Sequence, residues 1–191
     1  MKAILMSIRP QHLVDILNGK KTIELRKRFP SDFRGWVYLY CTKGKPYLAD
    51  FGDNEYPYKN GGYEWDFDLS NIEKHDAKVL NGKVVCRFWV DNVEICPNID
   101  DDSCDGTYYL PEGHCLTEKY IIHEYAPYGE DLFAIHISKL EIFGKPKELG
   151  KFYYYKKRLI DCGMDCPPYF DEVKTQVRKA PQSWQYVEIE E

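Results

Sequence analysis

The chain opens with an apolar run, Ala3-Ile4-Leu5-Met6, continued by Ser7 and Ile8, and this reads as a strand over Lys2–Ile8. Pro10 follows at a position where a helix's first residue tolerates a missing N–H. Leu13, Ile16 and Leu17 then recur at helical spacing through Gln11–Asn18, and Gly19 supplies the stop. Thr22-Ile23-Glu24-Leu25-Arg26 switches to a period of two, the mark of a strand with one apolar and one polar face. Trp36–Cys41 is a third, more apolar strand.

Residues 43–80 break the pattern. They are rich in Gly, Asp, Asn and Tyr, with no sustained apolar period, and read as an inserted ordered loop or short hairpin. Lys83–Ile95 resumes as a long strand with a bulge expected near Asp91-Asn92. After a polar connection over 96–114, Leu116–Tyr125 reads as a short helix and Leu132–Phe143 as a second long strand. A basic, aromatic segment (Phe152–Arg158), a Pro-containing loop and a closing strand, Ser183–Ile189, form a C-terminal extension over 145–191. About six strands with short flanking helices in one domain, 1–191, predict an α+β class and a small, mainly antiparallel β-barrel.

Charge sharpens this picture. The chain is net acidic, at −5, but unevenly so: residues 1–48 carry ten Lys and Arg against three Asp and Glu, and residues 49–131 carry six against nineteen. A net acidic protein is a poor non-specific nucleic-acid binder, yet a local basic face can hold a short strand or one nucleotide. A long duplex would meet the acidic stretch and be repelled, so duplex DNA is disfavoured. No run reaches the eighteen or so apolar residues of a membrane helix, and the N-terminal apolar stretch is too short for a signal peptide, giving a cytoplasmic expectation.

Seven cysteines are dispersed, and only Cys162/Cys166 and Cys96/Cys104 approach a close spacing, so zinc ligation is disfavoured and no cofactor or metal is expected. His12, His75, His114, His123 and His136 show no metal spacing. The best candidate chemistry is the turn and strand after the first helix. In it Thr22, Glu24 and Arg26 share a face beside Lys20 and Lys21, with Ile23 and Leu25 expected to point into the barrel, and Arg28 extends the basic strip. Such a strip can hold an anionic or hydrogen-bonding ligand.

Ser7-Ile8-Arg9-Pro10, a short helix, and then Gly19-x-Lys21-Thr22-x-Glu24-x-Arg26 resemble the opening of an ASCH domain, a family of the PUA-like superfamily of small RNA-associated β-barrels. The likeness extends over residues 1–42 and 82–143. A closing Pro181–Trp184 segment is similar to that of longer phage- or prophage-type members. The resemblance implies a cleft between the first helix and the barrel that binds single-stranded RNA or a modified nucleoside, with Ser7, Arg9, Lys20, Lys21, Thr22, Glu24, Arg26, Arg28 and Trp184 as candidate ligand-binding residues. It also implies an alternative, hydrolysis of a small amide such as that of N4-acetylcytidine, or ribonuclease activity, with Lys21, Glu24 and Glu112 as candidate catalytic groups. In that alternative Lys21 matches the family's lysine and Glu112 its later glutamate, while Glu24 stands where the amide-cleaving members have a threonine. A third reading is a phage-associated interaction module whose acidic insertion binds a protein.

Overall fold

The computed structural model describes residues 2–52, 62–65, 77–99, 107–126, 130–160 and 169–190. Its frame is a seven-stranded sheet. β1 (Ala3–Ile8) lies at the middle, between β3 (Gly35–Cys41), which runs parallel to it, and the C-terminal β15 (Trp184–Ile189), which runs antiparallel. All six residues of β1 are buried, because both faces of the strand are covered. Ile4, Met6 and Ile8 face the main core with Leu13, Ile16, Val37 and Phe88, while Ala3 and Leu5 face a second core with Tyr38, Phe152 and Val187. Fully burying each such aliphatic side chain stabilises the fold by about 1.5–3 kcal/mol.

Helix α1 (Pro10–Leu17) starts at the expected proline, which is buried, and presents Leu13, Val14, Ile16 and Leu17 to the main core. Gly19 adopts φ +71° past its end, which suits glycine. The backbone N–H groups of Lys20 and Lys21 both donate to the Asp15 carbonyl. That turn delivers the chain into β2 (Ile23–Arg26).

The long strand expected over Lys83–Ile95 is two strands, β7 (Val84–Val90) and β8 (Val93–Cys96), parted at Asp91-Asn92 where a bulge was expected. Its partner is likewise divided, into β11 (Leu132–His136) and β12 (Ser138–Lys147). β12 pairs with β7 in the large sheet, and β11 pairs with β8 and β2 in a separate three-stranded sheet. The bend folds β2 back over the end of β1. No β2–β1 backbone pairing closes the ring among the described residues, so the closed barrel of about six strands gives way to fifteen strands in four sheets with few short helical segments.

Other departures concern elements without a clear apolar period. The 43–80 insertion contains a three-stranded sheet, β4 (Leu48–Asp50), β5 (Tyr63–Trp65) and β6 (Lys78–Val79), with Leu48, Ala49 and Phe51 buried. Asn81 anchors its base: the side chain accepts from the Leu48 N–H at 2.8 Å and donates to the Gly44 carbonyl at 2.8 Å. The 96–114 connection contributes a short pair, β9 (Asn98–Ile99) and β10 (Thr107–Tyr108). The basic aromatic segment is β13 (Phe152–Ile160), and part of the following loop is β14 (Tyr169–Gln176). The helix expected over Leu116–Tyr125 is α2, three α-helical residues (Glu118–Tyr120) capped by the Thr117 hydroxyl and continued by a π-helical turn, Ile121–Tyr125.

Of the cysteines, Cys41, Cys86 and Cys96 are buried free thiols and Cys115 is an exposed one. Burial pushes the Cys41 thiol up to about 12, which marks it as packing. Cys104, Cys162 and Cys166 lie outside the described residues. Among the described residues no helix is long and apolar enough to cross a membrane.

Candidate functional site

The gap between β2 and the end of β1 is a cavity of about 360 Å³. β2 builds its floor. Ile23 and Leu25 turn away from the main core and pack in a satellite core with Ile121, Leu132 and Ala134. The opposite face carries Glu24, whose cross-strand partner Ile135 belongs to the main core. Strand alternation is therefore as expected but its sense is reversed, with the polar face aimed inward. The reason is the satellite core, which gives Ile23 and Leu25 an apolar home outside the ring. β2 is covered on both sides in consequence, and Glu24 is only 6% exposed.

A buried carboxylate needs partners. Glu24 Oε1 lies 2.9 Å from Arg26 Nη2, and Oε2 lies 3.5 Å from Lys21 Nζ. Lys21 is 3% exposed and donates to the His114 carbonyl at 2.5 Å. Arg26 Nη2 also donates to the Ser7 carbonyl at 2.9 Å, so this side chain spans the β2–β1 gap that no backbone pairing closes. The Ser7 hydroxyl donates to the Pro181 carbonyl at 2.6 Å. Arg26 Nε is buried without a hydrogen-bond partner among the described residues.

The walls come from α1 and α2. Arg9 and His12 stand at the start of α1, and Leu116, Tyr120, Glu124 and Tyr125 line the opposite side. The Tyr125 hydroxyl donates to the Leu25 carbonyl at 2.7 Å, and its ring stacks with Tyr120 at 6.3 Å between centroids. Burial raises the Tyr125 phenol and keeps it a donor. Burial also lowers His12, with Glu24 opposing and Lys21 adding to the shift, so the imidazole is neutral at pH 7. A neutral imidazole both donates and accepts.

Of the residues singled out in the sequence, Ser7, Arg9, Lys21, Glu24 and Arg26 line this cavity. Lys20, Thr22 and Arg28 are exposed and lie off its lining, and so does Glu112, at the surface one residue before Gly113. Trp184 packs edge-on against Phe29 at 5.6 Å and donates to the Arg28 carbonyl at 2.6 Å, which makes it part of an aromatic plug. Sequence reasoning missed His12, Tyr120, Glu124, Tyr125 and Gln182. His12 was legible as the one polar group beside Leu13 at the helix start. The others depend on where α2 and the 181–183 turn dock, and no local period encodes that. Among the described residues no three His, Cys, Asp or Glu side chains converge as a metal site.

No family model matches the chain, and no curated protein matches it. Among solved structures the chain is similar to the ASCH protein from Zymomonas mobilis, at 15% identity over 77% of this chain and 73% of that one, with a TM-score of 0.46. A point mutant of the same protein gives 15% identity, 78% and 77% coverage and a TM-score of 0.47. Both neighbours are ASCH proteins.

Proposed function

We propose that this cavity takes one nucleoside unit, either a free modified nucleoside or one residue of a single-stranded RNA. The observation that carries the reading is the buried Lys21–Glu24–Arg26 chain on the floor of a cavity walled by Tyr120. At about 360 Å³ the space sits near the low end of small-ligand pockets, the scale of one nucleoside. Its buried cations, Lys21 and Arg26, are already engaged by Glu24 and by backbone carbonyls, so recognition on the floor falls to hydrogen bonds with a base or sugar edge, and Arg9 at the rim is the cation left to meet a phosphate. Arg26 Nε supplies one donor in search of an acceptor, and Tyr120 supplies a stacking face.

Calorimetric titration at two salt concentrations tests the proposal. A nucleoside and a short single-stranded RNA bind with a shallow salt slope, and duplex DNA binds more weakly. Lys21→Met weakens binding at least tenfold, while Lys78→Met, on exposed β6, leaves it unchanged. Tighter binding of duplex DNA, or equal losses in the two variants, would overturn the reading.

A second reading, hydrolysis of a nucleobase amide, is favoured by the neutral His12 imidazole beside Lys21 and Glu24, a group suited to take a proton from water. Glu124, on the lining, is better placed for it than Glu112. Chromatography after incubation with N4-acetylcytidine decides it: release of cytidine by the wild type, and its loss in His12→Gln, would support hydrolysis, and an unchanged substrate peak would exclude it.

A further inference from the structure

The large sheet ends in an unpaired edge. β14 is its last strand, bonded on one side to β13 and to no other strand on its outer side among the described residues. Every residue from Tyr169 to Lys174 is exposed, and so is most of β13 opposite it. The apolar members include Leu159 at 54% and its cross-strand partner Phe170 at 68%, with Val173 at 39% on the other face. A long exposed edge with apolar side chains is a template for another strand.

The sequence of this edge complements itself. When two copies of β14 meet antiparallel about a two-fold axis perpendicular to the sheet, residues directly opposite share a face, so the register centres on one residue. Centring on Val173 sets Val173 against Val173. It then places Glu172 against the other copy's Lys174 twice, and Asp171 against Thr175 twice. Centring on Glu172 would set two carboxylates face to face, and centring on Lys174 two ammonium groups, both destabilising. Glu172 already lies across from Lys157 within the hairpin, and Lys174 is bonded to Glu190 at 2.8 Å, so the new pairs extend an existing line of alternating charge.

We infer that the β14 edge is a homodimer interface, in which two copies of this chain join their large sheets antiparallel about Val173 with reciprocal Glu172–Lys174 pairs. The inference is independent of the proposed ligand, since none of these residues lines the cavity.

Light scattering coupled to size exclusion tests it on the full chain. The wild type runs at twice the 22.5 kDa chain mass. Glu172→Lys alone and Lys174→Glu alone each run as monomers, because each sets like charges opposite one another twice. An equimolar mixture of the two single variants runs as a dimer, since the pairs are then opposite in sign, and so does the double variant Glu172→Lys/Lys174→Glu. A wild type that stays monomeric at 100 μM would overturn the inference. So would single variants that remain dimeric, or a mixture and a double variant that both remain monomeric.

Discussion

Glu24 is the residue on which the site turns. It balances two cations, Lys21 and Arg26, that the fold has taken out of water. Removing one partner of a buried ionic cluster costs about 3–5 kcal/mol, because the remaining charges lose their compensation. Glu24→Ala is therefore expected to lower unfolding stability in urea by that order. Glu141→Ala, which removes a half-exposed partner of Arg87, is expected to cost under about 1 kcal/mol. Similar costs for the two variants would show that the Glu24 cluster is not a structural centre. Two histidines add a pH dependence. His12 and His114 are both lowered from 6.5, chiefly by burial, so the folded chain binds their protons less readily than the unfolded chain. Stability is then fully present above about 6.5 and falls as pH drops from there towards the folded-state values. Thermal midpoints between pH 7 and pH 5 should decline in the wild type and decline less in His12→Gln. Parallel curves would contradict the assignment of His12 as a half-buried neutral group.

At the level of elements, the segment before α2 holds β2 in place. The Gly113 carbonyl accepts from the N–H groups of both Thr22 and Ile23, and the next carbonyl, His114, receives Lys21. Gly113 has φ +96°, and a Cβ there would sit 2.1 Å from the Thr22 Oγ1. Gly113→Ala thus combines backbone strain with a clash against Thr22, the residue that leads into β2, and should cost well over about 1 kcal/mol while weakening ligand binding. Gly44→Ala, at φ +86° with nothing within 4 Å, meets the strain alone and should leave binding intact. Chemical denaturation and calorimetry on the pair check this, and equal effects on binding would contradict it. Elements with a strong period were legible in the sequence: β1, α1, β2 and β3 fall within a residue or two of where periodicity puts them. The Asp91-Asn92 break was legible because two polar residues interrupt an apolar strand. β13 and β14 were not, since alternation is a signature of one-sided burial and this hairpin is exposed on both faces. The inward sense of Glu24 was illegible for a different reason. Alternation fixes which residues share a face, and only the docking of the Ile121–Tyr125 turn decides which face is inside.

Across the whole molecule, the site is a seam. The large sheet and the smaller one meet where β2 crosses the end of β1, and a side chain, Arg26, makes the junction that backbone pairing does not. A ring left open at one seam keeps a polar cavity beside a large apolar core. The proposed ligand site at β2 and the proposed self-association edge at β14 belong to different sheets. The seam is proposed to hold one nucleoside unit against Tyr120, and the most direct test compares two tyrosines by calorimetry with a short single-stranded RNA. Tyr120→Ala removes the cavity wall, and stacking of a base on an aromatic ring is worth about 1–3 kcal/mol. Tyr109→Ala removes a tyrosine that is 77% exposed and off the cavity lining. The account predicts a roughly tenfold loss of affinity for Tyr120→Ala and none for Tyr109→Ala; unchanged affinity in Tyr120→Ala, or an equal loss in both variants, would contradict it.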